Sequence, residues 1–194
     1  MLLNRLRKNE RRLKSWLKQS GESCYRIYDA DLPNYAVAID LYRGRPDAAN
    51  SEKTHDLPGL CFLVQEYAAP AQVDKSASER RLKEIIKVIQ YGYKVAPGSV
   101  FVKQRRRQRG KNQYEKLRGN AEDIVITEGG HQFIVNPDRY LDTGIFLDHR
   151  NVRREIANAA KGARFLNLFA YTATATVYAA KAGARSSVLS LIHI

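Results

Sequence analysis

Residues 165–184 read FLNLFAYTATATVYAAKAGA. The first seven, 165–171, are bulky and apolar apart from Asn167, which reads as a buried strand. Small residues then predict a helix over Thr174–Ala182, and SSVLSLI (186–192) opens a further extended element. Immediately upstream, 149–160 reads as another helix. Helix, strand, helix, strand is the opening of a parallel α/β sheet. That order sets the carboxyl end of a strand against the N-terminus of a helix, where nucleotide-like ligands bind in open α/β sheets. The glycine fingerprint of dinucleotide sites is missing, since Ala173 occupies the expected glycine position. A plain core strand explains the same pattern, and a dinucleotide oxidoreductase is disfavoured.

Just before this unit lies YLDTGIFLDHR (140–150). Gly144 permits close approach of backbone to a ligand, and Asp148 and Arg150 suit hydroxyl or carboxylate groups. The competing reading is a turn entering the 149–160 helix with Asp148 as its N-cap. His149 alone argues for neither catalysis nor a metal. The pattern changes here, so a domain boundary is placed near 140–150.

Further upstream the chain predicts an α+β unit. Leu6, Leu13, Trp16 and Leu17 recur at helical spacing between Asn4 and Gln19, and the helix ends near Ser20 before Gly21. Strands follow at Cys24–Asp29 and Tyr35–Tyr42, then a polar loop over 43–59 and a strand at Leu60–Tyr67. Ser76 and Glu79 make a capping-box start for a helix striped by Leu82, Ile85, Ile86 and Ile89. A short strand is expected at Ser99–Lys103. Ile124–Glu128 and His131–Asn136 flank Gly129-Gly130, a two-residue hairpin signal. The order is summarised as strand, strand, helix, strand, strand.

The 194 residues carry a net charge of +13, and two short segments hold all of it. Residues 1–20 have seven bases against Glu10, and 103–118 have eight against Glu115; the other 158 residues balance at 18 of each sign. A neutral body with two basic segments points to phosphate polyanions. In KQRRRQRGKNQYEKLRG (103–119), Lys103, Arg105, Arg106, Arg107, Arg109 and Lys111 suit phosphate oxygens. Asn112 and Gln113 add hydrogen bonds, and Tyr114 offers a stacking face. A solvated basic loop is the bland alternative. At 44% hydrophobic and 27% charged the composition is globular, and no apolar run approaches the ~20 residues of a membrane span. The N-terminus lacks a signal-peptide core, and Cys24 and Cys61 form no CxxC. A soluble, cytosolic chain without a membrane partner is expected.

Several strings resemble one family: NRLRKNERRLKSW (4–16), YRIYDADLPNYAVAID (25–40), VQEYAAP (64–70), QRGKNQYEK (108–116), YLDTGIFLDHR (140–150) and FLNLFAYT (165–172). In this order they are similar to the C-terminal half of bacterial 23S rRNA methyltransferases K/L, from residue 4 to about 188. FLNLFAYT alone is shared with wider methyltransferase groups. The resemblance implies transfer of a methyl group from S-adenosyl-L-methionine to guanine N7 of 23S rRNA. It implies a first cofactor loop of Asn167, Phe169, Ala170, Tyr171 and Thr172, with Thr143, Gly144, Phe146, Asp148 and Arg150 as the neighbouring wall. It divides the chain into a basic helix (1–20), an RNA-presenting α+β domain (21–140) and the start of a Rossmann-like methyltransferase domain (141–194). No catalytic residue, metal ligand or covalent cysteine is implied.

Departures from that pattern bear on activity. No Asp or Glu follows Glu155, so the acid expected to hold the cofactor ribose is missing. The Asn/Asp-Pro-Pro-aromatic loop that would hold the target base is missing as well. The ending LSLIHI (189–194) is foreign to the family, and natural sequence is expected to stop near Val188. These features predict a truncated enzyme, inactive alone. The competing class is a non-enzymatic RNA-binding module using 103–118.

Overall fold

The computed structural model describes residues 1–46, 59–67, 75–105, 121–140 and 142–191. Helix α1 (Leu2–Ser20) buries Leu2, Leu6 and Asn9 and ends at Gly21, whose N–H donates to the Leu17 carbonyl. Its inward face is apolar except at Asn9. That amide donates to the Ile27 carbonyl at 2.9 Å and to Asp31 at 2.6 Å, fixing the helix to the sheet below.

The main sheet has the order β1-β2-β4-β5. Strand β1 (Cys24–Asp29) pairs antiparallel with β2 (Val37–Arg43), and β2 pairs antiparallel with β4 (Leu60–Tyr67). Strand β4 then runs parallel to β5 (Val100–Arg105), the two being joined across helix α2 (Lys75–Tyr93). Parallel neighbours need such a crossover. A second sheet contains β3 (Arg45–Pro46), β6 (Ile124–Glu128) and β7 (His131–Val135).

Strand β2 reads VAIDLYR because both its faces are covered. Val37, Ile39 and Leu41 join Leu2, Leu6, Ile85 and Ile89 in a core under the two helices. Tyr42 joins Cys24, Leu63, Ile126, Phe133 and Val135 in a second core, against the β6–β7 hairpin. Asp40 is buried on this strand, neutralised by Arg26 at 2.7 Å and bonded by Gln65 at 3.0 Å.

The remaining elements are α3 (Arg150–Ala160), β8 (Arg164–Leu168), α4 (Thr174–Lys181) and β9 (Ser186–Ser190), with β8 and β9 parallel. Helix α4 packs on one face of this pair, and α3 packs on α4. Leu166 and Val188, partners in register, are 61% and 65% exposed on the other.

Several expectations shift. The three strands read before α2 are present, with the short β3 added between them, so the summary order of strand, strand, helix, strand, strand undercounts the strands. Arg45–Pro46 pairs with β6 inside the stretch read as loop. Helix α2 begins at Lys75, so Ser76 is its second residue and not its cap. Asp148 is not an N-cap either: it sits within a 3-10 turn at Leu147–His149, and α3 starts after His149 without a side-chain cap. Strand β8 stops at Leu168 because Phe169 and Tyr171 turn left-handed, with φ of 58° and 51°.

Candidate functional site

A cleft of about 520 Å³ opens at the carboxyl end of β8, within the roughly 300–1,000 Å³ of small-molecule sites. One wall is the β8–α4 loop with Phe169, Tyr171 and Thr172. The other comes from the end of β7 and the segment after it, with Asn136, Tyr140, Asp142, Thr143 and Gly144, and Asp123 joins this wall beside Asn136. The β8–α4 loop is sharply folded. Phe169, Tyr171 and Ala173 all have positive φ, a conformation that costs roughly 1–2 kcal/mol per non-glycine residue.

One hydrogen bond ties the two walls together, and others brace the second wall. Thr172 donates from its hydroxyl to the Gly144 carbonyl at 2.7 Å, directly across the cleft mouth. The Asn136 N–H donates to the Thr143 carbonyl at 2.9 Å. Thr143 is buried, donating to the Ile145 carbonyl at 3.2 Å and sharing a hydrogen bond with the Tyr42 hydroxyl at 3.1 Å. Gly144 is needed at its place. Its φ is +100°, and an added Cβ would lie 3.3 Å from the Ile134 carbonyl oxygen.

Five of the ten residues expected around a cofactor therefore line the cleft: Thr143, Gly144, Phe169, Tyr171 and Thr172. Phe146 packs its ring 5.1 Å from that of Tyr171, behind the loop. Ala170 is buried and anchors the loop through its N–H to the Ser190 carbonyl at 2.8 Å. Asn167 donates to the Thr176 hydroxyl at 2.8 Å, tying strand end to helix start. Asp148 is exposed and is not among the lining residues.

Arg150 is elsewhere, inside an ion-paired seam. Helix α3 presents arginines at 150, 153 and 154, all meeting acids from the N-terminal unit. Glu128 receives Arg150 Nε at 2.9 Å, Arg153 at 2.6 Å and the Tyr178 hydroxyl at 3.2 Å. Glu22 receives Arg154 at 2.7 Å and the Gly129 N–H at 3.2 Å. Arg150 also donates to the Cys24 carbonyl at 2.6 Å, and Arg153 to the Phe146 carbonyl at 2.9 Å. The seam thus ends on the residue backing the cleft loop. Burial opposes the Arg150 charge, but Glu128, Cys24 and Glu22 raise its pKa nonetheless. Burial also pushes the Cys24 and Cys61 thiols up to about 12, which leaves them poor nucleophiles.

Of the residues expected to meet RNA, Arg106, Arg107, Arg109, Lys111, Asn112, Gln113 and Tyr114 lie outside the described residues. Arg105 ends β5. Lys103 is turned inward and buried, its ammonium donating to the Tyr140 carbonyl. Burial lowers its pKa to about 8, with Asp142 and Asp138 opposing the shift. The alternation of β5 sends this side chain toward the body, so it is not part of an exposed basic surface.

Asp123, Asn136, Tyr140 and Asp142 line the cleft without having been singled out. Tyr140 and Asp142 stood in the quoted 140–150 segment. Asp123 and Asn136 flank the hairpin ends, and Asn136 donates to Asp123 at 2.7 Å, a contact that sequence spacing does not disclose.

Residues 40–193 match the family model for S-adenosylmethionine-dependent methyltransferases. The chain is 50% identical over 188 residues to the ribosomal RNA large subunit methyltransferase K/L of Chromohalobacter salexigens, covering 97% of this chain and 24% of that protein. It spans about a quarter of the length of the curated relatives it matches. Two solved structures share its fold. The methyltransferase SMU.776, crystallised with SAH, superposes with a TM-score of 0.64 at 24% identity. A protein from Streptococcus mutans described as SAM-dependent gives 0.63 at 25%. Each covers 96% of this chain and 43% of its own. Among the described residues, no helix is long and apolar enough to cross a membrane.

Proposed function

Because the chain belongs to the S-adenosylmethionine-dependent methyltransferase family, we propose that it carries the RNA-presenting region and the first part of the cofactor unit of a 23S rRNA guanine-N7 methyltransferase. The observation that carries this reading is the cleft at the end of β8, closed by Thr172 on Gly144. The rRNA substrate is supported by the likeness to the K/L relatives. Residues 1–20 and 21–140 form the RNA-presenting part, and 141–194 begin the cofactor part.

The residues present suit S-adenosylmethionine, a cation with a flat purine. Asp123 and Asp142 supply carboxylates, and Tyr140, Phe169 and Tyr171 supply aromatic faces. Thr143, Gly144, Phe169, Tyr171 and Thr172 would hold it, with Asn167, Ala170 and Phe146 fixing the loop from behind. When bound, it supplies an electrophilic methyl group. Guanine N7 has a free lone pair, so no residue need remove a proton. The task of these side chains is orientation and exclusion of water.

The rRNA contact in this reading is Arg105, Arg106, Arg107, Arg109, Lys111, Asn112, Gln113 and Tyr114. The arginine forks bind phosphate oxygens and Tyr114 stacks on a base. Lys103 anchors β5 to the Tyr140 carbonyl. Alone, the 194 residues transfer no methyl group in this reading.

The test exchanges residues 4–188 for the matching stretch of the Chromohalobacter salexigens relative. The chimera should methylate 23S rRNA and create a site cleaved by borohydride and aniline, the signature of N7-methylguanine. Methylated rRNA without that cleavage overturns the N7 assignment. Calorimetry of the chain alone with S-adenosylmethionine should show no micromolar binding.

A further inference from the structure

A second basic surface lies away from the cleft, on the groove between α1 and α2. The groove encloses about 440 Å³ and is lined by Leu3, Arg80, Lys83, Glu84, Lys87, Val88 and Tyr91. Residues 80, 83, 87 and 91 follow helical spacing along one stripe of α2. The stripe from Arg80 to Tyr91 is about 16 Å long at 1.5 Å per residue. All four side chains are exposed, and Tyr91 is 83% exposed at the end of the row.

Solubility alone explains this arrangement poorly. Helix α2 also carries Glu79 and Glu84, but Lys83 and Lys87 are like charges at i, i+4, which weakens an isolated helix by a few tenths of a kcal/mol. Glu84, the one acid lining the groove, accepts a hydrogen bond from the Tyr35 hydroxyl at 2.8 Å. Among the described residues, Arg80, Lys83 and Lys87 make no ion pair.

Helix α1 supplies the other wall. A Cβ at Gly92 would lie 2.3 Å from Leu3 Cδ1, so the missing side chain lets the two helices close on each other. Arg7, Glu10 and Lys14 follow Leu3 at i+4, i+7 and i+11 and extend its side of α1, two exposed bases to one half-buried acid. Cations thus stand along both helices, with a bare aromatic ring at one end of the α2 row.

We propose that this α1–α2 groove binds a single-stranded RNA segment, its phosphates on Arg80, Lys83 and Lys87 and one base stacked on Tyr91. None of the residues 105–114 is needed for it. A positive track ending in an exposed ring is the chemistry of single-strand binding without sequence readout. The inference rests on the reading of the protein as an RNA-acting enzyme and adds where a second part of the substrate lies.

The test is fluorescence anisotropy of the 194-residue chain with a short labelled oligoribonucleotide at several salt concentrations. For Lys83→Ala with Lys87→Ala, the slope of log affinity against log salt should fall by about 1.4, two contacts at about 0.7 each. Tyr91→Ala should weaken binding roughly fivefold to a hundredfold, and Tyr91→Phe should restore it, because stacking needs the ring and not the hydroxyl. Circular dichroism checks that each variant folds; all three positions are exposed.

Unchanged affinity and slope in the folded double variant overturn the groove proposal while leaving RNA binding by the chain intact. So does Tyr91→Phe binding as weakly as Tyr91→Ala. Failure of the unsubstituted chain to bind RNA at all overturns the RNA-binding reading itself. Binding to anionic vesicles through Lys83 and Lys87, with none to RNA, replaces it with a membrane-surface reading.

Discussion

Arg153 on α3 meets Glu128 on β6 at 2.6 Å, with the two side chains 3% and 0% exposed. The pair joins the unit that begins with α3 to the hairpin of the preceding one. Glu128 faces inward because β6 alternates, placing Ile126 and Glu128 on the same side. An acid in that register requires a cation, and α3 brings two, Arg153 and Arg150. The same Nη2 of Arg153 also donates to the Phe146 carbonyl at 2.9 Å, so the seam also fixes the segment behind the cleft. Buried pairs contribute little net stability, but their geometry allows one docking orientation.

Removing one partner should therefore be costly. Glu128→Gln leaves Arg150 and Arg153 buried without their shared counter-charge, a change that typically destabilises by about 3–5 kcal/mol. Urea unfolding should show that loss. In a double-mutant cycle with Arg153→Met, the second substitution should recover part of it. An unaltered urea midpoint in Glu128→Gln would mean that solvent reaches the seam.

Lys103 gives a pH signature. Its pKa is about 8 in the folded chain, lowered by burial, against 10.5 when unfolded. Between those values the unfolded state holds the extra proton, so stability contributed at this position rises with pH and is complete above 10.5. Below pH 8 the buried charge is a standing cost. Lys103→Met removes that cost along with the bond to the Tyr140 carbonyl. The variant should be more stable at pH 7, on the order of 1–3 kcal/mol, and the difference should shrink by pH 10.5. Parallel stability curves for the two proteins across this range would refute the shift.

Much of this fold was legible in the sequence where one local signal decides an element. Cys24–Asp29 and Leu60–Tyr67 are strands with the expected bounds, and Gly129-Gly130 turns a hairpin. What stayed hidden depends on partners distant in the chain. Glu22 and Glu128 gave no sign of being buried, because the arginines that neutralise them lie some 20 to 130 residues away. Lys103 counted as part of a basic run although strand alternation turns it inward. The cleft was half legible: the strings holding Thr143, Gly144, Phe169, Tyr171 and Thr172 were marked, while Asp123 and Asn136 enter by tertiary folding alone.

The bare face of the β8–β9 pair sets the behaviour of the chain in solution. Parallel sheets are ordinarily covered on both sides, yet Leu166 and Val188 stand more than half exposed as register partners, with Leu168 at 42% beside them. The 194-residue chain should bind a hydrophobic dye and grow in light scattering as its concentration rises. Leu166→Lys should suppress both without lowering the melting temperature, since the residue buries little. A monodisperse, dye-silent chain would show that something else shields this face.

Ala173 allows a stabilising substitution at the cleft itself. Its φ of +60° places an alanine in left-handed backbone at the entry to α4, two residues beyond Tyr171, which has the same handedness. A side chain there is strained by roughly 1–2 kcal/mol, whereas glycine adopts this conformation freely. Glycine also enlarges the conformational freedom of the unfolded chain, which offsets part of the gain. Ala173→Gly should therefore raise stability by about 0.5–1 kcal/mol. The opposite sign is expected at Gly144, where φ is +100° and the Ile134 carbonyl stands 3.3 Å from any added Cβ. Gly144→Ala should destabilise by at least 1 kcal/mol and displace the carbonyl that Thr172 bonds. Paired thermal melts test both signs together; a lower melting temperature for Ala173→Gly would show that the loop does not hold this left-handed turn.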